Sequence, residues 1–414
     1  MKFVMLFLIP LFFVLLLSYT PRTIFSNHIK KNFNNPVNEK TDSLAVSENS
    51  PWSVRMAKSF IYRHPDYYIN YDEKKDWNYE QGLMLQALYK LYLKTSDSRY
   101  YNYIIENLDH FITDDGRIKT YVFSKFRLDD IAPGRALLDI YKSLKEKKYK
   151  TAADTLRKQL QQQPRTKEGG FWHKEIYPHQ MWLDGLFMAE PFYAQYAGMF
   201  NESSDFKDIA EQFILIYKHA HDPGTGLLFH GWDESKKQKW ANPETGVSPS
   251  FWGRGIGWFE MALVDVLDYF PKNNPARKEI IDILQKTSKA LLKYRDKNTG
   301  LWYQVLDKGN KDGNFLEASC SCMFVYAFAK GANKGYLNRD YYKIAEDSYK
   351  GIIDNFIKIE NNELVNIVHT CSSAGLGGNP YRDGSFQYYV NVPQRENDFK
   401  AIGPFILASL QLGK

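Results

Sequence analysis

Cysteine is nearly absent from this chain of 414 residues: only Cys320, Cys322 and Cys371 occur. An odd, small number of thiols excludes a disulfide scaffold, and Cys320 and Cys322 lie too close in sequence for an easy bridge. A link from Cys371 to one of that pair stays open, with buried free thiols the preferred reading. No CxxC pair, HExxH or EF-hand loop is present, so no metal and no cofactor is expected. Gly253, Gly255 and Gly257 crowd together, yet no Lys-Ser/Thr follows them and no strand pattern precedes them, which excludes a phosphate loop. Charge of one sign is scarce too. A net charge of +6 is small for the length, and no stripe of Lys and Arg forms, which argues against nucleic acid as a partner. No stable protein partner is expected either.

Long hydrophobic runs are missing except at the start. Residues 3–17 are apolar behind Lys2, broken by Pro10 and too short for a comfortable membrane span. Residues 1–25 therefore read as an export signal. The SYTPRTIF that follows the run has no small-x-small cleavage site, so a retained N-terminal anchor stays open beside the preferred cleaved signal. Residues 26–50 are rich in Asn, Lys, Glu and Ser and are expected to form a flexible linker. The folded domain then spans 51–414.

What the chain does hold is aromatic rings and helical periodicity. Aromatics make up 16% of the sequence, with nine Trp and 29 Tyr, more than a core needs, and flat rings suit sugar faces; carbohydrate is the leading ligand class. Apolar spacing predicts helices over 52–62, 79–93, 99–111, 133–145, 149–163, 184–200, 204–220, 252–270, 275–294, 317–335, 340–357 and 398–412. Those starting near 79, 133, 184, 252, 317 and 398 are rich in Gly, Ala and large apolar groups. Those near 99, 149, 204, 275 and 340 are amphipathic. Apolar all round means buried, and one polar face means contact with water. The alternation describes an all-α double ring, an (α/α)6 barrel in a single domain; an irregular α-solenoid or two helical domains are the alternatives. Short strands are expected at the rim, near 226–230 and 301–305.

Chemistry-prone residues gather just before the inner helices. Asp184 lies in HKEIYPHQMWLDGLFMA, in the first turn of an apolar helix, beside Trp182 and near His173 and His179. Its structural reading is a helix cap, favoured by free N–H groups and the dipole; its functional reading is a proton donor at a pocket mouth. Asp129, in RLDDIAPG, has the same two readings, and Asp130 competes with it for the cap. Two carboxylates in one pocket can split their pKa values and supply both an acid and a base. In WGRGIGW, three glycines inside a helix each cost about 1 kcal/mol against Ala, which points to close packing or to a ligand approaching the backbone. Arg254 then faces a carboxylate, either a ligand's or one of the protein's own. His230 and Trp232 come from a long loop, where binding residues concentrate. His369, Arg382 and Asp383 belong to a Gly-rich and Ser-rich segment and read as structural.

Taken together and in order, RLDDIAPG, HKEIYPHQMWLDGLFMAEPF, SFWGRGIGWFEMALVDVLDYFP, EASCSCMFVYAFAKG and CSSAGLGGNPYRDGSFQYYV resemble glycoside hydrolase family 105, the unsaturated rhamnogalacturonyl hydrolases. The resemblance runs from about Trp52 to the C-terminus. It implies an (α/α)6 barrel and a substrate whose nonreducing end is a 4-deoxy-hex-4-enuronic acid left by a polysaccharide lyase. By motif position, Asp184 resembles the acid that protonates C4 of that sugar and Asp129 the family's second carboxylate. Trp182 and Trp258 are then expected to stack on or wall the sugar. Tyr79, His173, Lys174, His230 and Arg254 are expected to bind its hydroxyls and carboxylate. Cys320 and Cys322 are read as packing. Together with the export signal, the resemblance implies a bacterial periplasmic enzyme. The competing readings are an unsaturated glucuronyl hydrolase on arabinogalactan, ulvan or glycosaminoglycan fragments, and a silent carbohydrate-binding toroid; the two retained Asp residues argue against the latter.

Overall fold

The computed structural model describes residues 49–66, 69, 71–360 and 363–414, and the predicted signal or anchor and nearly all of the predicted linker lie outside them. The described elements fall in one compact unit, Val46–Lys414. They comprise thirteen α-helices and three two-stranded ribbons.

The inner helices are α2 (Tyr79–Thr95), α4 (Gly134–Leu144), α6 (Leu183–Phe200), α8 (Gly253–Val266), α10 (Ala318–Asn333) and α13 (Phe399–Leu412). Each packs on the next in that order, and α13 packs back on α2, so the ring closes. The outer helices are α1 (Trp52–Arg63), α3 (Ser98–Phe111), α5 (Lys147–Gln162), α7 (Asp205–Ala220), α9 (Pro275–Lys293) and α11 (Asp340–Phe356). From α3 to α11 each outer helix packs on the inner helix before it in the chain, while α1 packs on α13. A bond of 2.9 Å from Ser53 N to Ser409 Oγ helps to close the first helix on the last. This is the (α/α)6 barrel.

Side-chain chemistry explains the two rings. Every residue of α8 is buried, as is every residue of α10 from Ala318 to Ala332, which only a helix walled on all sides tolerates. On α5, by contrast, the buried apolar positions are Tyr149, Ala152, Ala153, Leu156 and Leu160, a single stripe at helical spacing. The glycines of WGRGIGW serve close packing. A Cβ on Gly253 would lie 2.9 Å from Cys320 Sγ and one on Gly257 2.7 Å from Met323 Sδ, so α8 and α10 approach too closely for larger side chains. All three cysteines are free and buried.

The expected rim strands are reduced to isolated bridges, His221 to Leu228, Trp252 to Val305 and Tyr303 to Leu316, because each contact extends over a single residue pair. The ordered ribbon lies just beyond the first of them. Strand β1 (Gln180–Trp182) pairs antiparallel with β2 (Gly231–Asp233). The remaining ribbons are β3 (Ile357–Ile359) with β4 (Val365–Ile367), and β5 (Thr370–Cys371) with β6 (Gln394–Arg395); a short helix, α12 (Phe386–Val390), lies between β5 and β6.

Polar groups also link the inner helices. Asp265, in the last turn of α8, accepts from Arg135 Nη1 of α4 at 2.8 Å, and from Lys330 Nζ at 2.7 Å and Tyr326 OH at 2.6 Å, both of α10. Asp139 of α4 accepts from Gln86 of α2 at 3.0 Å and from Gln195 of α6 at 2.9 Å.

Candidate active site

Strand β1 runs directly into α6, so the residue that ends the ribbon, Trp182, is the one from which the helix starts. Trp182, at the N-cap, makes no side-chain bond to α6, and Asp184, in the first turn, keeps a hydrogen bond to its own backbone N–H, so its place at the helix start accompanies its contact with His230. Pairing of Trp182 with Gly231, together with a bond of 3.0 Å from Leu183 N to His230 O, draws His230 beside the first turn of α6. Its Nε2 then lies 2.7 Å from Asp184 Oδ2, and its Nδ1 lies 2.6 Å from the hydroxyl of Tyr389. His230 is fully buried, whereas the Asp184 side chain keeps 13% of its surface. Burial pushes the Asp184 carboxyl up, but the charge and hydrogen bond of His230, with His173 behind them, outweigh it and hold the group below the usual carboxylate range.

Asp129 sits in a 3-10 turn, Leu128–Asp130, tied to the neighbouring loop by a bond of 3.1 Å from Leu128 N to His173 O. Lys174 Nζ lies 2.6 Å from its Oδ2, His173 Nε2 3.4 Å from its Oδ1, and Arg127 Nη2 3.9 Å from Oδ2. Burial raises this carboxyl, yet Lys174, His173 and Arg127 together prevail and bring it down to about 2. Asp130 differs: burial outweighs Arg127, whose Nε is 3.6 Å away, and lifts it to about 7. Neither acid caps α4, which starts after Pro133 with no side-chain cap.

His173 lies within electrostatic reach of both Asp129 and Asp184; burial dominates and lowers it to about 4, so the imidazole is neutral. Its Nδ1 has no hydrogen-bond partner among the described residues and faces Gly185, where a Cβ would come within 3.1 Å. The structure thus gathers Asp129, His173, Lys174, Asp184 and His230 at the start of α6. His179 lies apart from that set, with Nδ1 3.4 Å from Glu234.

The aromatic residues are more enclosed than sugar platforms. Trp182 is 4% exposed, with His173 stacked at 4.5 Å and Tyr177 at 4.9 Å between ring centroids. Trp258 is 1% exposed against Phe187 at 4.6 Å and the edge of Tyr79 at 6.2 Å. Trp182 borders a small cavity beside Gly185 and Leu186, whereas Trp258 is packed in the core. Tyr79 is partly open, and its hydroxyl lies 3.4 Å from Glu80 Oε1.

Arg254 has the partners of a structural arginine. Its Nε donates to Ser319 Oγ at 2.7 Å, Nη1 to the Ser372 carbonyl at 2.7 Å, and Nη2 to Glu317 Oε1 at 3.3 Å and to the Cys371 carbonyl. Glu317, itself fully buried, accepts from Cys320 N at 2.7 Å and Cys371 N at 2.9 Å. Arg382 holds its own loop through the Gly377 and Leu376 carbonyls and donates to Tyr177 OH at 2.7 Å. No group of three or more His, Cys, Asp or Glu among the described residues is placed to hold a metal ion.

Two of these participants, Glu317 and Tyr389, lie within blocks that carry the family resemblance, but no role for them follows from the sequence. Glu317 stands at a helix start, as many caps do. Tyr389 meets its partner across 159 residues, a distance no local pattern spans.

Comparison with known proteins identifies the family and the fold. The family model described as Glycosyl Hydrolase Family 88 matches residues 52–414. A solved family 105 glycoside hydrolase from C. acetobutylicum ATCC 824 superposes with a TM-score of 0.85 at 44% identity, over 88% of this chain and 99% of that one. The chain belongs to the family 88/105 glycoside hydrolases. Two further relatives of the hydrolase are Protein Atu3128 of Agrobacterium fabrum, 34% identical over 53% of this chain and 96% of that protein, and the unsaturated rhamnogalacturonyl hydrolase YesR of Bacillus subtilis, 26% identical over 67% of this chain and 76% of that protein.

Proposed function

We propose that this hydrolase removes the unsaturated uronyl residue from the nonreducing end of lyase-generated oligosaccharides, rhamnogalacturonan fragments foremost, by hydrating its C4=C5 bond. The observation that carries the reading is the pairing of Asp184 with a fully buried His230, beside a second carboxylate, Asp129, held as an anion by Lys174. The C4=C5 bond is an enol ether conjugated to a carboxylate, so the usual pair of carboxylates acting at C1 is not required. Asp184, protonated, delivers its proton to C4. Positive charge then develops at C5 and the ring oxygen, water adds at C5, and Asp184 takes up the water's proton. The resulting hemiketal opens and expels the neighbouring sugar.

Asp184 rests as a carboxylate in the free protein, and the substrate supplies the change. Its own carboxylate, brought beside the Asp184–His230 couple, adds negative charge and raises the couple's affinity for a proton. Asp129 stays ionised throughout, suited to orienting sugar hydroxyls together with Lys174. The kinship with YesR favours rhamnose as the neighbouring sugar. The apolar run at residues 3–17 favours export to the periplasm as the place of action.

The test is loss of the ultraviolet band of the conjugated double bond, followed with unsaturated disaccharides that differ in the neighbouring sugar and with Asp184→Asn as control. Loss with the rhamnose-linked disaccharide, absent in the variant, is the expected outcome. Loss only with glucuronyl-type fragments would move the specificity to those sugars. Binding without loss of the band for every disaccharide would sink the hydration chemistry.

A further inference from the structure

The segment between β5 and β6 carries no part of the chemistry just described, yet it sends one side chain into the centre of the site. Tyr389, on α12, is fully buried and lies 2.6 Å from His230 Nδ1. It is held from several sides. Its ring stacks on Trp252 at 5.5 Å with an interplanar angle of 17°, and its carbonyl accepts from Gln304 Nε2 at 3.1 Å. At the other end of the segment, Arg254 and Glu317 fix Cys371 and Ser372 against α8 and α10.

We propose that Tyr389 is a positioning residue for the hydrolase: its hydroxyl selects the tautomer of His230 and thereby sets which atom carries the proton that passes through Asp184. This rests on the hydration reading for its kinetic part, but not for its structural part. A phenol is both donor and acceptor, which is what the buried Nδ1 needs in the two charge states of the couple. With one proton fewer, His230 Nε2–H donates to the Asp184 carboxylate and the Tyr389 O–H donates to Nδ1. With one proton more, Nδ1–H donates to the phenol oxygen, and the proton shared between Nε2 and Oδ2 is the one that leaves for C4. Burial pushes the Tyr389 phenol well above its ordinary value, so it keeps its own proton and only turns it.

The charged and titratable groups facing this couple are few. His173 approaches from the loop before β1, and Tyr388, Cys371 and Arg382 surround Tyr389 on its own segment. Trp182 and Trp252, both uncharged, pack on the His230 ring at 5.4 and 4.7 Å. No other hydroxyl or carboxylate among the described residues bonds Nδ1.

The first test needs no substrate. In the full chain labelled with 15N-histidine, with the His230 signals assigned by their absence in His230→Gln, alkaline spectra are expected to show the neutral ring protonated at Nε2. A neutral ring protonated at Nδ1 would overturn the proposal, whatever the enzyme hydrolyses. The second test is Tyr389→Phe, which keeps the stacked ring and loses only the hydroxyl. Losing the acceptor for a charged imidazolium costs more than losing the donor to a neutral ring, so the alkaline limb of the kcat profile is expected to move down by about one pH unit. With it, kcat at neutral pH is expected to fall roughly tenfold while KM stays within about twofold. A variant with an unmoved alkaline limb and an unmoved tautomer would reduce Tyr389 to packing.

Discussion

Two buried clusters of charge lie within the same ring of helices, and they are built differently. In the cluster around Asp265, one carboxylate accepts from Arg135, Lys330 and Tyr326 at 2.8, 2.7 and 2.6 Å, and Lys330 reaches Asp268 at 2.7 Å. In the cluster at the start of α6, Asp184 has a single side-chain partner and 13% of its surface open, and His173 Nδ1 has no partner among the described residues. A charge surrounded by partners is fixed, and removing one of them leaves others unpaired at a heavy cost. A charge with a free side can exchange protons and receive a ligand. The same inner helices therefore hold a strut on α8 and α10 and a reactive mouth on α6, and the degree of hydrogen-bond saturation separates them.

That contrast is sharpest when each cluster loses its central carboxylate. Asp184→Asn is expected to cut turnover by about 10² to 10⁴ while leaving substrate affinity within a few fold, because proton transfer alone is removed; single-turnover decay of the substrate's ultraviolet band checks it. Asp265→Ala is expected to act oppositely, lowering stability by about 3–5 kcal/mol through the uncompensated Arg135 and Lys330. Urea unfolding reads this directly, and the fraction still folded is expected to turn over normally. An Asp265 variant that loses activity in step with Asp184→Asn would erase the distinction between strut and mouth.

Acid titration probes the mouth from another side. His173 is lowered from 6.5 to about 4 in the folded protein, so the unfolded chain binds the extra proton between those values. Its contribution is present in full above pH 6.5 and disappears as pH falls towards 4, a loss of about 3 kcal/mol. Asp129, lowered from 3.8 to about 2, adds a second loss as pH falls through that lower window. His173→Gln is expected to shrink the first step to the share of His64, which burial also lowers to about 4, and to leave the second, as followed by chemical denaturation at stepped pH. If both steps persist unchanged, His173 is not the sensor. The smallest effect is expected at Gly255, where an added Cβ would lie 3.2 Å from His230 Cδ2. Gly255→Ala gains helix propensity of up to about 1 kcal/mol and displaces His230 slightly. Its kcat is expected to drop a few fold with stability nearly unchanged, by the same ultraviolet assay and a thermal melt.

Much of the fold could be read from the chain because each helix announces itself locally. The stripe on α5 and the all-round apolar character of α8 and α10 are properties of consecutive residues, and they separate the outer ring from the inner one. The ribbon of β1 and β2 was less legible. Three-residue strands leave too short an alternation to detect, and the segments 226–230 and 301–305 carried the composition of strands while forming only isolated bridges. At the site, Asp184 and Asp129 were visible as acids before apolar helices, but a cap has the same local signature. Arg254 was visible as a cation within glycines, with a ligand's carboxylate and a protein carboxylate equally open; Glu317, 63 residues away, is the acid it meets.

By itself, then, the sequence determined the twelve long helices of the barrel and the residue types available for acid–base chemistry, because periodicity and composition are local quantities, but not the short α12 that carries Tyr389. Only the tertiary structure decided which acid is open and which is tied, since that depends on partners brought from afar. Pairing of β1 with β2 sets His230 against Asp184, the bond from Leu128 N to His173 O brings Lys174 to Asp129, and the segment between β5 and β6 places Tyr389 behind His230. Burial then turns those contacts into proton affinities that none of the side chains has in water.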